Sequence, residues 1–219
     1  MEIYKDKQQT YFTNIRHDLI NFAHPHPDNR ILEVGAGGGD TLITIKKKGL
    51  AREVVGIELN KVEGSNQGDP SIDRFIFGNI ESMEIDLPEN YFDIILCGDV
   101  LEHLIDPWKT IEKLQRHLRK GGKLIASIPN IRHYRALYEI FVKGQFSYTE
   151  FGLFDKTHLR FFCKKDMMSI VSTLQLKPDS IISIFKHLPP SRINTINKLT
   201  FGLFEEFLTL QYLVSATKV

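Results

Sequence analysis

The residues best suited to chemistry begin at Glu33. The run Ile31-Leu32-Glu33-Val34-Gly35-Ala36-Gly37-Gly38-Gly39-Asp40 sets glycines at alternate positions after an apolar stretch, and Val54-Val55-Gly56-Ile57-Glu58 follows with an acid at its end. Glycines let a chain turn sharply at a strand end and approach a ligand closely, and a carboxylate about 20 residues on can hold both hydroxyls of a ribose. The order strand, glycine turn, helix, strand, acid predicts a nucleotide-type cofactor pocket. A tight turn that needs glycine for steric reasons alone is the plainer alternative. A dinucleotide site wants G-x-G-x-x-G, whose third glycine lets a helix N-terminus approach a pyrophosphate. That position is Asp40, which argues against a nicotinamide dehydrogenase and for a ligand without a pyrophosphate.

The elements that must position this turn can be read from spacing. Phe12, Ile15, Leu19 and Phe22 fall at helical intervals over residues 11–22, and Pro25 and Pro27 end that helix before the first strand. Helix 41–48 and strand 53–59 follow. Residues 60–73 carry Gly64, Asn66, Gly68, Asp69 and Pro70, so an irregular connection is expected there. Strands 74–80 and 92–99 come next. Asp106-Pro107 then opens a helix as N-cap and first residue, with Trp108, Ile111, Leu114 and Leu118 as its buried stripe and Glu112 paired with Arg116. Gly121-Gly122 is expected to stop it ahead of strand 123–129. Two further helix–strand units follow, 165–174 with 181–185 and 192–199 with 207–215. This alternation predicts a doubly wound α/β sheet. Residues 201–219 either close the sheet or contribute to a homodimer.

Residues 130–163 break the rhythm. They mix Tyr134, Tyr138, Phe141, Phe146, Tyr148, Phe151 and Phe154 with Arg132, His133, Arg135, His158 and Arg160. Loops at the carboxyl ends of parallel strands carry ligand sites in such folds, so this aromatic insert is a candidate substrate cover. A satellite hydrophobic cluster packed over the sheet edge is the alternative.

Composition sets bounds. At 219 residues, 42% hydrophobic and 25% charged, the chain suits one globular domain. A formal net charge of +1, with no long run of like charge, offers no broad field for nucleic acid or an anionic membrane. A charged Met1-Glu2-Ile3-Tyr4-Lys5-Asp6 and the lack of an 18-residue apolar stretch predict a cytoplasmic protein without a membrane span. Cys97 and Cys163 read as reduced packing residues.

Four motifs carry a family resemblance: the glycine turn, Val55-Gly56-Ile57-Glu58, Gly78-Asn79-Ile80-Glu81, and Asp99-Val100-Leu101-Glu102-His103-Leu104 with Asp106-Pro107. Together they resemble class I S-adenosylmethionine (SAM) methyltransferases of the small-molecule type, a group that includes the ubiquinone-type and methionine-biosynthesis W-type proteins. Ser127-Ile128-Pro129-Asn130, the insert and Thr157-His158-Leu159-Arg160-Phe161-Phe162 are also similar to methyltransferases associated with sugars and surface polysaccharides. The resemblance implies a Rossmann-like, mostly parallel seven-stranded sheet and one methyltransferase domain over 1–219, with a cap helix in 1–29 and a lid in 130–163. It also implies SAM as cofactor and a small-molecule acceptor, with a sugar or polysaccharide precursor as the expected class, methylated on a hydroxyl or amine.

Carried over position by position, the resemblance places Glu33, Gly35 and Gly37 against the methionine part of SAM and Glu58 against the ribose. Asn79 and Ile80 flank the adenine, Asn79 standing where the family usually has Asp; an amide carbonyl still accepts, without charge. Tyr11 and Arg16 match a Tyr and an Arg ahead of the first strand, Arg16 as partner of the methionine carboxylate or as a surface residue. Gly98 and Asp99 lie beneath the sulfonium. His103, just after that strand, is the candidate base, with an imidazole that ordinarily titrates near neutrality; its alternative is to brace the helix. His158 and Asp155 are second choices. His24-Pro25-His26 lacks a carboxylate cluster, so no metal site is expected, and no hydrolase elbow or broad basic face is present. The alternative from another class is a non-catalytic regulatory protein that keeps a SAM-binding shell, as the W-type likeness allows.

Overall fold

The computed structural model describes residues 14–184 and 192–219. Seven strands form one sheet: β1 (Arg30–Val34), β2 (Glu53–Glu58), β3 (Arg74–Phe77), β4 (Phe92–Gly98), β5 (Leu118–Pro129), β6 (Leu176–Ser183) and β7 (Gln211–Lys218), in the order β3-β2-β1-β4-β5-β7-β6. The first five are parallel, while β7 runs antiparallel between β5 and β6. The chain's last strand therefore closes the sheet.

Strand side chains alternate between two faces, and both faces here are apolar, as a sheet covered on both sides requires. Ile31, Ile94 and Leu96 pack with Leu19 and Ile20 of α1 (His17–Ala23) and with Leu42 and Ile45 of α2 (Asp40–Lys47). Leu32, Val34, Ile95 and Cys97 pack on the other face with Ile111 and Leu114 of α3 (Pro107–His117). The same face takes Met167 and Ile170, which follow the short α4 (Tyr134–Leu137) on α5 (Lys164–Ile170). Each such side chain, fully buried, stabilises the fold by about 1.5–3 kcal/mol. The helices after β1 and β4 thus lie on opposite faces, which opens a crevice between the carboxyl ends of these neighbouring strands, where open α/β sheets bind ligands. Two further helices, α6 (Arg192–Leu199) and α7 (Glu205–Leu208), precede β7.

Several expectations are refined. Residues 60–73 hold turns and no helix. Asp106 caps α3 by accepting from Lys109 N–H at 3.1 Å, and Pro107 is its first residue. Trp108 is 49% exposed and off the buried stripe, because Thr110, Ile111, Leu114 and Gln115 fill that face. The helix ends at His117, ahead of the glycine pair. Gly122 instead lies inside β5 where the register jumps from Phe92↔Leu118 to Ile94↔Lys123, and a Cβ there would stand 2.9 Å from the carbonyl oxygens of Arg119 and Phe92. The strand expected at 207–215 begins at Gln211, after α7 has taken up Phe207. Of the expected N-terminal helix, residues 17–23 are helical, and residues 11–13 lie outside the described residues. Among the described residues, no helix is long and apolar enough to cross a membrane.

Candidate active site

A cavity of about 690 Å³ opens at the carboxyl ends of β1, β2 and β4. Glu33, Gly35, Gly37, Glu58, Asn79, Ile80, Gly98, Asp99, Arg16 and His103 all line it. Tyr11 lies outside the described residues.

The glycine turn is built by backbone constraint. Gly35 has φ +71°, and a Cβ there would stand 2.5 Å from Val100 Cγ2, so any side chain would be strained and would collide with the turn after β4. Gly35 N–H and Ala36 N–H both donate to Ile57 O, at 2.9 and 3.1 Å, which locks the turn onto β2. Gly37 N–H then donates to Glu58 Oε2 at 2.8 Å, and Leu59 N–H to Oε1 at 2.7 Å. Two backbone donors thus fix this carboxylate, while burial pushes its pKa upward. Gln67, which sequence reasoning missed, completes this corner: its amide donates to Gly37 O at 2.7 Å and its oxygen accepts from Val62 N–H at 2.9 Å. The irregular 60–73 segment was the only signal, since the family pattern there is a helix.

Glu33 is 3% exposed, and its Oε2 has no hydrogen-bond partner. Burial, reinforced by Glu58 and opposed by Arg16, pushes its pKa to about 8. Arg16 does not stand open for a ligand carboxylate. Its Nη1 donates to Asp99 Oδ2 (2.7 Å), its Nε and Nη2 to the two oxygens of Asp18 (3.0 and 2.7 Å), and its Nη2 also to Ser127 Oγ (2.9 Å). Burial alone would lower its pKa, but Asp99 and Asp18 outweigh that and raise it. The guanidinium passes so close to the end of β4 that a Cβ on Gly98 would lie 2.9 Å from Nη1. Asp99, at φ +54°, also accepts from Ser127 Oγ and from Gln211 of β7.

The Asn79 end is held from α3. Asn79 Oδ1 accepts from Glu81 N–H at 2.9 Å. Glu81 accepts from Asp106 N–H at 2.7 Å and Ile105 N–H at 3.2 Å, and Lys113 Nζ donates to the carbonyls of Ile80, Glu81 and Met83 at 2.7, 3.2 and 2.8 Å. The loop after β3 and the start of α3 are one cross-braced unit.

His103 ends a short turn, Leu101–His103, and its Nδ1 lies 3.0 Å from Thr157 O. Its ring centroid is 4.8 Å from that of His158, whose Nδ1 lies 3.2 Å from Leu153 O. Burial, with His158 nearby, pushes the pKa of His103 down to about 4, so the imidazole is neutral at pH 7 and a weaker base than its type suggests. Asp155 Oδ1 accepts from Thr157 N–H and Oγ1 at 2.9 and 2.7 Å, an arrangement that shapes the insert's own turn. Burial beside Glu33 and Glu102 pushes the Cys97 thiol to about 12, consistent with a packing role.

A mostly parallel sheet with this switch point, a glycine turn and an acid closing β2 give the geometry of a nucleoside-cofactor pocket. Residues 7–181 match the family described as a methyltransferase domain, and the chain belongs to that family. It is 29% identical over 103 residues to the 27-O-demethylrifamycin SV methyltransferase of Amycolatopsis mediterranei, covering 44% of this chain and 37% of that protein. It is 29% identical over 133 residues to the ubiquinone/menaquinone biosynthesis C-methyltransferase UbiE of Vibrio cholerae, covering 56% and 50%. The chain thus matches half or less of the length of these relatives. A SAM-dependent methyltransferase from Archaeoglobus fulgidus shares the fold, with a TM-score of 0.57 at 16% identity over 91% of this chain and 89% of that one.

The residues present fit SAM. Glu33 offers a buried, unpartnered acceptor oxygen in the cavity wall, which an ammonium satisfies, and Glu58 offers a fixed carboxylate for a diol. The turn provides no third glycine for a pyrophosphate, and SAM has none.

Proposed function

We propose that the chain transfers a methyl group from SAM to a hydroxyl or amine of a small molecule, with a sugar-linked acceptor as the leading class. The observation that carries this reading is the convergence of Glu33, Glu58, Asn79 and His103 on one cavity. Glu33 accepts from the methionine ammonium, Gly35 and Gly37 let the backbone approach, and Glu58 accepts from the ribose hydroxyls. Asn79 faces the adenine beside Ile80; because its Oδ1 already serves Glu81 N–H, its amide NH2 is the group it offers, as donor to a ring nitrogen. Arg16 holds Asp99 in place, and Asp99 with the end of β4 provides negative potential for a cation.

Bound there, SAM supplies an electrophilic methyl group. The chain's part is to align an acceptor oxygen or nitrogen with it and keep water out, which supplies much of the barrier lowering in such transfers. The insert, residues 130–163, serves as the cover. Its Leu159 and Arg160 N–H groups donate to Glu102 O at 2.8 and 3.0 Å, which ties it to the turn that carries His103. Phe146 packs edge-on against Phe154, Phe161 and Tyr148, with centroids 4.6, 5.2 and 5.6 Å apart. The partly exposed faces of this cluster suit the apolar side of a sugar ring.

Calorimetric titration with S-adenosylhomocysteine tests the reading. The wild type is expected to bind in the micromolar range and Glu58→Ala to lose about tenfold or more, after which a screen of sugar-linked hydroxyls and amines should show turnover. Absence of binding by the wild type overturns the reading.

A further inference from the structure

We propose that Glu102, His103 and His158 form a site for a transition-series divalent cation at the edge of the cavity. One donor atom from each lies within 4.8 Å of the others. Donors bound at roughly 2.1 Å in a tetrahedron stand roughly 3.4 Å apart, so the cluster closes on an ion by side-chain movements of about an ångström.

Two independent observations point the same way. The first is Glu102, which is 1% exposed and has both carboxylate oxygens buried without a hydrogen-bond partner among the described residues. A carboxylate taken out of water without compensation costs several kcal/mol, and a bound cation removes that cost. The second is the setting of the two rings. Each Nδ1 lies against a main-chain carbonyl, Thr157 O for His103 and Leu153 O for His158. A carbonyl only accepts, so each Nδ1 carries the hydrogen and each Nε2 the lone pair. That is the arrangement by which proteins orient metal-binding imidazoles.

The sequence could not show this cluster, because His158 is 55 positions from His103 and reaches it only when 157–160 docks on the Glu102 carbonyl. Two imidazoles and a carboxylate favour zinc, cobalt, manganese or ferrous iron over calcium or magnesium. His103 lines the cavity, so an ion here would face the acceptor. That placement rests on the methyltransferase reading, and it makes His103 a ligand and not a base.

The test uses tag-free, chelator-treated full-length protein titrated with Co²⁺ by absorbance and Zn²⁺ by calorimetry. The wild type is expected to bind one equivalent of each in the micromolar range, with visible Co²⁺ ligand-field bands. His158→Asn and Glu102→Gln, checked by circular dichroism, are expected to lose at least about tenfold in affinity. If one variant fails to fold, the other decides, supported by the Co²⁺ spectrum of the wild type. No stoichiometric binding by the wild type, or binding unchanged in the folded variants, overturns the site. Titrating the same samples with S-adenosylhomocysteine separates the two proposals: cation binding without nucleoside binding sinks the methyltransferase reading alone, and the reverse sinks the cation site alone.

Discussion

Arg16 Nη1 lies 2.7 Å from Asp99 Oδ2, an ion pair between residues 83 positions apart that ties the start of α1 to the end of β4. Asp18 shares the same guanidinium, and both Arg16 and Asp18 are largely buried. Removing the cation strands two carboxylates, of which Asp99 stands at the cavity wall. Arg16→Gln is therefore expected to cost about 2 kcal/mol, less than a fully buried pair because Asp99 retains contact with water. Arg16→Lys should restore less than half, since an ammonium cannot span both acids. Urea denaturation midpoints measure this; a loss under about 0.5 kcal/mol would show that Ser127 and Gln211 hold Asp99 unaided.

Glu33 links folding to pH. Its pKa in the folded protein is raised to about 8 from an ordinary 4.5, chiefly by burial. Below pH 4.5 both folded and unfolded states keep the proton, and no penalty exists. As pH rises from 4.5 to 8 the unfolded chain releases its proton first, so stability is lost across that window and levels off above it. Glu33→Gln should match the wild type near pH 5 and exceed its stability by roughly 2–4 kcal/mol near pH 8, without cofactor. Urea titrations at four pH values decide, and a pH-independent gap between the two proteins refutes the raised pKa. Above pH 8 the same substitution should weaken S-adenosylhomocysteine binding, because there the ammonium loses a charged acceptor.

Much of this was legible in the sequence because the signals are local. The glycine turn, the acid at Glu58 and the Asp106-Pro107 helix start depend on residues within a few positions, and each stands where expected. What the sequence hid depends on distance in three dimensions. Trp108 satisfies the helical stripe but faces outward, since Thr110 and Gln115 take the inner face. Arg16 looked like a ligand contact and is mostly consumed by Asp18, Asp99 and Ser127. His103 looked like an ordinary imidazole, but its pKa is set by burial against a segment more than 50 residues away. Gln67 sits in a stretch with no periodicity to mark it.

Lys113 extends this logic to the nucleobase end. From α3 it donates to three successive-turn carbonyls, those of Ile80, Glu81 and Met83, and so fixes the loop that carries Asn79. Lys113→Met keeps the aliphatic stem and removes all three bonds. Glu81 still bonds the amides of Ile105 and Asp106, so the start of α3 should survive. Stability is expected to fall by about 1–2 kcal/mol. S-adenosylhomocysteine affinity should fall about three- to tenfold, mainly through faster dissociation, because the loop must be ordered at the moment of binding. Thermal melts and stopped-flow dissociation separate the two effects. Lower stability with an unchanged dissociation rate would show that the brace serves the fold alone and that Asn79 is held well enough by the Glu81 amide.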